Sequence, residues 1–198
     1  MSKGIAFFDF DGTITTKDTM FELIKFSKGP ASFYAGMMFL SPILAAVKCK
    51  LLPAQAGKEK LLGYFFGGAP ASSFAENCQA FCKEKLPGLL RDEALQQIAA
   101  HKRNGEEVVI VSASAEQWVK PWADKLELVL LSSRLEEPGG ILTGKLEGPN
   151  CNGVEKVNRI RSTYDLNSYT HITCYGDTSG DLPMLSLATV SYFKPFRK

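Results

Sequence analysis

The chain alternates between short apolar runs and longer stretches with helical spacing. Five runs read as strands: Ile5–Phe10, Val108–Ser112, Val129–Leu135, His171–Tyr175 and a weaker Thr189–Tyr192. Between most of them apolar residues recur at helical intervals, as in Glu116–Lys125, Val154–Tyr164 and Leu182–Leu187. Strands alternating with helices predict an α/β fold with a doubly wound, Rossmann-like parallel sheet. Chemistry in such sheets lies beyond the carboxyl ends of the strands.

The stretch 16–100 breaks the alternation. It predicts helices over Asp18–Ser27, Ala31–Leu40, Ile43–Leu51, Ala56–Phe66, Ser72–Lys85 and Arg91–Arg103. Pro30, Pro42, Pro53, Pro70 and Pro87 punctuate it, mostly near helix starts. The expected organisation is a core of residues 1–15 and 101–198 with an inserted all-helical cap over 16–100. The last cap helix is assigned to the sheet layer. Leu131–Cys151 is too short for a second cap and reads as a hairpin excursion through Pro138-Gly139-Gly140.

Within the cap, no residue from Gly29 to Val47 is charged, and Phe33, Tyr34, Met37, Met38, Phe39, Leu40, Ile43, Leu44 and Val47 are apolar. The run is long enough to raise the question of a membrane span, but Pro42 interrupts it. Helices apolar all round are buried or meet lipid. The favoured reading buries most of the run between cap helices, with one edge near the active-site mouth. A peripheral membrane contact or an oligomer contact through the cap stays open, and Lys25, Lys28, Lys48 and Lys50 flank the run as in an interfacial element.

Composition narrows the function classes. With 198 residues and 45% hydrophobic content, the chain supports a substantial core. A net charge of +2, with no long basic run, argues against a nucleic-acid partner. Cys49, Cys78, Cys82, Cys151 and Cys174 are odd in number and lack CxxC spacing, so they read as reduced thiols of a cytoplasmic protein. Two histidines, His101 and His171, do not make a His-rich zinc site. Neither a dinucleotide-binding glycine motif nor a P-loop is present. The N-terminus enters a strand almost at once, with no visible signal peptide.

Candidate chemistry begins at Phe7-Phe8-Asp9-Phe10-Asp11-Gly12-Thr13. Alternation along a strand running to Phe10 sets Asp9 and Asp11 on one side. Two like charges that close call for a hard divalent metal, a shared proton, or both. Ser112 and Ala113 lie at a strand-to-helix junction, where a hydroxyl and free N–H groups can cradle phosphate. Lys156 stands near the start of a helical segment. Tyr175-Gly176-Asp177-Thr178-Ser179-Gly180-Asp181 follows another strand, with Asp177 and Asp181 four residues apart. Oxygen ligands from a short acidic loop suit magnesium.

These four motifs, in this order, resemble those of the haloacid dehalogenase superfamily, and the cap position resembles its phosphoserine-phosphatase-like members. The resemblance implies a phosphomonoester hydrolase acting through an aspartyl-phosphate on a small or lipid-like substrate. Asp9 is then the nucleophile and Asp11 the acid-base group. Mg2+ is held by Asp9, Asp177 and the backbone carbonyl of Asp11. Ser112, Lys156 and the backbone at Gly12, Thr13 and Ala113 hold the phosphoryl group. Asp181, with Thr178 beside it, orients Lys156 or a metal-bound water. Asp18 falls where phosphoserine phosphatases meet the substrate ammonium, but no arginine occurs from Met1 to Leu90, leaving Lys58 or Lys60 for a substrate carboxylate. The apolar cap run and the Lys194-Pro195-Phe196-Arg197 tail are more similar to phosphatidylglycerophosphatase-like members. The alternatives are a phosphotransferase or phosphomutase, or a non-hydrolytic phospho-acceptor. An acceptor of the receiver type lacks an acid two residues after the nucleophile, which makes Asp11 the discriminating residue.

Overall fold

The computed structural model describes residues 3–197, so the ends of the expected core segments at 1, 2 and 198 lie outside it. Among the described residues five strands form one parallel sheet: β1 (Gly4–Phe8), β2 (Glu107–Ala115), β3 (Val129–Ser133), β4 (His171–Gly176) and β5 (Val190–Phe193). Their order is β3-β2-β1-β4-β5, which puts β1 at the centre. The strand order reverses at β1, and that is where such sheets bind their ligands.

Alternation along the strands explains the layers. Ala6 and Phe8 of β1, with Val108 and Ile110 of β2, pack into one core cluster. Ile5 and Phe7, with Val109 and Val111, pack into a second cluster with Ile160, Met184 and Leu185. Both faces of the sheet are therefore covered, as a parallel sheet requires. Each fully buried Phe contributes about 1.5–3 kcal/mol through removal from water.

The helices are α1 (Thr19–Lys28), α2 (Pro30–Phe39), α3 (Ser41–Lys48), α4 (Ala54–Phe66), α5 (Ala71–Glu84), α6 (Asp92–Arg103), α7 (Glu116–Lys125), α8 (Val154–Thr163) and α9 (Leu182–Leu185). The predicted helices are all present, with boundaries shifted by a few residues. Pro30 and Pro42 fall in the first turns of α2 and α3, where a missing N–H costs nothing. α6 packs on β2 in the sheet layer, and α5 packs on α7. The excursion after β3 returns through an antiparallel bridge between Leu135 and Leu146. The predicted third strand is thus shorter than expected, ending at Ser133.

The uncharged cap run divides between inside and outside. Phe33 and Leu40 are buried, and Met37, Ile43 and Leu44 pack against the core from partly buried positions. Tyr34, Met38 and Phe39 are exposed. Burial of most of the run therefore overstates the case for α2, whose outer side faces solvent. Among the described residues no single helix is long and apolar enough to cross a membrane. α2 and α3 satisfy length and composition only as a pair bent by 64°.

Candidate active site

The predicted first strand runs two residues too far. β1 ends at Phe8, although the Asp9 amide still donates to the Tyr175 carbonyl at 2.9 Å. Residues Phe10–Ile14 then make one wide turn, closed by the Thr15 amide on the Phe10 carbonyl at 3.0 Å. Gly12 sits in that turn at φ +83°, and a Cβ there would come within 2.5 Å of Asp177 Oδ2. Both the left-handed backbone and the close approach require glycine.

The turn separates two carboxylates that an extended strand would hold side by side. Asp11 Oδ1 accepts from the Thr19 amide and hydroxyl, both at 2.7 Å, and its Oδ2 accepts from the Ser114 hydroxyl. Trp118 Nε1 donates to the same Thr19 hydroxyl at 3.1 Å, which ties this network to α7. Asp9 engages a different partner. Lys156 Nζ, on the first turn of α8, donates to Asp9 Oδ1 at 2.6 Å, to Asp181 Oδ1 at 2.6 Å and to the Val111 carbonyl at 2.8 Å. A lysine ordinarily lies on a solvated helix face; Lys156 is 1% exposed, and all three donors are used.

Asp181 is held on its other side as well. Its Oδ2 accepts from the Asp177 amide at 3.1 Å and from the Thr178 amide and hydroxyl, both at 2.9 Å. Asp177 Oδ1 accepts from the Thr13 hydroxyl at 3.3 Å, and its Oδ2 pairs with the Arg197 guanidinium. The tail bearing Arg197 is seated by Phe196, whose ring stacks on Tyr175 with centroids 5.6 Å apart. Arg91 Nη1 donates to the Phe196 carbonyl at 3.1 Å.

Electrostatics follow from burial. Desolvation is the main cause that raises the Asp9 pKa to about 7, with Asp181 and Asp11 adding to it and Lys156 opposing. Burial also works against the Lys156 charge, but Asp9 and Asp181 outweigh it and hold its pKa above the ordinary lysine value. Asp181 is desolvated too, yet Lys156 and Thr178 bring its pKa below the ordinary aspartate value.

Oxygen atoms of Asp9, Asp177 and Asp181 lie within 4.8 Å of one another, all on buried residues. A hard-oxygen donor set carrying excess negative charge fits a divalent cation such as magnesium. Of the expected metal set, the side chains of Asp9 and Asp177 converge. The Asp11 carboxylate turns away to Thr19 and Ser114, so only its backbone carbonyl remains for that role.

Beside this cluster is a cavity of about 310 Å³. Asp9, Asp11, Asp18, Lys156, Asp181, Thr178 and Ala113 are on its wall, as are Met20, Phe21, Leu44, Val47 and Leu61. Gly12, Thr13, Ser112 and Asp177 are not among the wall residues. The Ser112 hydroxyl instead accepts the Ser114 amide at 3.0 Å. Asp18 caps α1, accepting from the Met20 amide at 2.9 Å. Although Asp18 is exposed as a residue, its carboxylate faces the cavity, where desolvation and then the Asp11 charge raise its pKa to about 6. Lys58 reaches the wall and donates to the Ala113 carbonyl and, at 3.2 Å, to Asn150 Oδ1. Desolvation lowers its pKa to about 8 against the pull of Asp11 and Asp18. Lys60 is exposed and does not line the cavity.

Ser114, Thr19, Asn150, Asn152 and Arg197 were not legible as site residues. Ser114 carried a signal, standing two residues after Ser112 at the same strand end. Asn150 comes from the end of the excursion and Asn152 from just after it, and nothing local marks them.

The sequence and the fold have counterparts. The family model for haloacid dehalogenase-like hydrolases matches residues 6–186. The chain belongs to that family of hydrolases. Protein CicA of Caulobacter vibrioides is 34% identical, over 96% of this chain and 85% of its own. A Bordetella pertussis protein of unknown function shares the fold with a TM-score of 0.84, at 20% identity over 96% of this chain and 89% of that one. A substrate-bound phosphoserine phosphatase does so with a TM-score of 0.70, at 18% identity over 98% and 86%.

Proposed function

We propose that the protein is a magnesium-dependent phosphomonoesterase of the cytoplasm that works through an aspartyl-phosphate on Asp9. The observation carrying this reading is the separation of two roles: Asp9 is locked to Lys156 beside Asp177 and Asp181, while Asp11 is oriented independently by Thr19 and Ser114. Residues 1–15 and 101–198, with the last helix of the 16–100 segment, α6, packed on β2, act as the catalytic core, and the rest of 16–100 as the cap. The cytoplasmic setting is supported by the five cysteines, all of them free thiols.

Asp9 attacks phosphorus, and the ester P–O bond breaks as the new P–O bond to Asp9 forms. Asp11 gives its proton to the leaving alkoxide. It then takes one from water, whose oxygen attacks phosphorus, releasing phosphate and restoring Asp9. Lys156 and the backbone N–H groups of the turn stabilise the equatorial oxygens. Asp181 is a positioning residue that fixes Lys156. Magnesium, held by Asp9, Asp177 and the Asp11 carbonyl, supplies charge neutralisation between carboxylate and phosphate when bound.

The substrate reading is a phosphate ester with an apolar part. Met20, Phe21, Leu44, Val47 and Leu61 line the cavity, and Lys58 offers a point charge where bidentate recognition of a carboxylate would need arginine. This disfavours phosphoserine itself. Phosphate release from a panel of sugar, nucleotide, amino-acid and lysophospholipid monoesters, with magnesium and with chelator, tests the reading. Chelator-sensitive release that favours apolar esters is expected. Release unaffected by chelator, or preference for phosphoserine, contradicts it.

A further inference from the structure

The cap carries a surface that catalysis leaves unexplained. α2 seats Phe33 and Gly36 inward, as its C-cap does Leu40, and a Cβ on Gly36 would meet Phe65 Cζ at 2.4 Å and Tyr64 Cε1 at 2.7 Å. The opposite side of α2 presents Tyr34, Met38 and Phe39, which are 64%, 75% and 70% exposed. Phe39 stacks on the exposed Tyr64 of α4, with ring centroids 5.6 Å apart. Tyr34 and Met38 are four apart on one helix, so they adjoin. Single exposed apolar residues are ordinary, but a joined patch marks an interface.

The surrounding charge says what kind. From Leu23 to Lys58 the chain has five lysines and no aspartate or glutamate. Lys28, Lys48, Lys50 and Lys60 are exposed around the patch elements. An apolar face on elements that carry these exposed lysines complements an anionic bilayer surface. It does not complement a second copy, because a two-fold interface would set the same lysines against each other.

We propose that the outer face of α2 and the neighbouring end of α4 dock the protein on an anionic lipid surface. The helices lie on that surface and do not cross it. With ten and eight residues, α2 and α3 are about 15 and 12 Å long, against a hydrocarbon core of about 30 Å. Their inner sides are committed: Phe33 and Leu40 are buried in the cap, and Leu44 and Val47 of α3 line the catalytic cavity. Docking therefore sets that cavity beside the bilayer. Docking stands independently of the proposed reaction, whereas delivery of a lipid phosphate to Asp9 rests on it.

Co-sedimentation with phosphatidylcholine vesicles, with and without phosphatidylglycerol, tests the proposal. The full chain should pellet with the anionic vesicles, weakly with the neutral ones, and be released by high salt. The double variants Met38→Glu/Phe39→Glu and Lys48→Glu/Lys50→Glu should each lose about tenfold or more in vesicle partitioning. Their melting temperatures and their hydrolysis of soluble p-nitrophenyl phosphate should match the parent. A parent that stays in the supernatant, or variants that bind as well as it does, overturns the proposal. So does a dimer on gel filtration that the variants split, or vesicle binding that resists salt and alkaline carbonate. Vesicle binding by a protein that hydrolyses no phosphate ester sinks the reaction and leaves the docking face intact.

Discussion

At the strand ends, Asp9, Lys156 and Asp181 are almost wholly buried, and every one of them is bonded; across the cap, Tyr34, Met38 and Phe39 stand in solvent. The first region spends polar groups inside the protein and satisfies them. Among the described residues only Ser27 Oγ is a buried side-chain polar atom without a partner. The second region places apolar groups outside. Each arrangement costs stability on its own. A buried ionic cluster carries a desolvation penalty that hydrophobic packing would avoid, and an exposed aromatic patch forgoes burial. Departures from the usual distribution of polar and apolar residues thus underlie both proposals, a phosphate ester at the first region and a lipid surface at the second.

The largest expected effect lies in the polar region. Asp9→Asn removes the proposed nucleophile and metal ligand together while keeping the shape. Phosphatase activity should vanish with the melting temperature little changed. Retained turnover in that variant would show that another group attacks.

Lys156→Met should damage both function and fold. It leaves Asp9 and Asp181 buried without their shared cation, and breaking such a pair costs about 3–5 kcal/mol. Urea denaturation measures this. A loss below about 1 kcal/mol would mean that water or the tail arginine takes over the role.

The cap provides a matched pair of smaller effects. Leu40 is 5% exposed and Phe39 is 70% exposed, although they are adjacent. Leu40→Lys should cost several kcal/mol, because a charge enters an apolar site. Phe39→Lys should stay within about 0.5 kcal/mol. Equal destabilisation of the two would contradict the division of the helix into inner and outer sides.

The smallest effect concerns pH. Desolvation lowers the Lys58 pKa to about 8, so its ammonium is lost at a lower pH than that of a free lysine. If that charge holds an anionic substrate, KM should rise as pH climbs through about 8. Lys58→Met should raise KM at pH 7 by roughly tenfold, the worth of one charge-assisted hydrogen bond, and flatten the alkaline rise. An unchanged pH profile in the variant assigns the rise elsewhere.

The sheet and three of the motifs were legible because each rests on local pattern, an apolar run and then a short polar loop, whereas Lys156 was found by its place in the order of motifs. The alternation of Ile5 and Phe7 against Ala6 and Phe8 already encodes two covered faces. The wide turn after Asp9 was not legible. Phe10 continues the apolar pattern, and only the close approach of Asp177 at Gly12, from a segment far along the chain, shows why the strand must stop. The same holds for Asn150 and Arg197, whose positions depend on contacts between distant segments, and for the choice of Lys58 over Lys60 at the cavity. The cap run was ambiguous for another reason. An uncharged helix has no polar stripe to mark its outer side, so sequence cannot say which residues face solvent.

The central claim, two carboxylates with two separate jobs, is tested most directly by trapping the intermediate. In Asp11→Asn, Asp9 can still attack a substrate with a good leaving group, but water is no longer activated, and turnover should fall by about 10²–10⁴-fold. Rapid-quench labelling with a radioactive aryl phosphate, followed by peptide mapping, should then show acid-stable, hydroxylamine-labile phosphate accumulating on Asp9. Near-normal turnover with no phosphate on Asp9 would contradict the account.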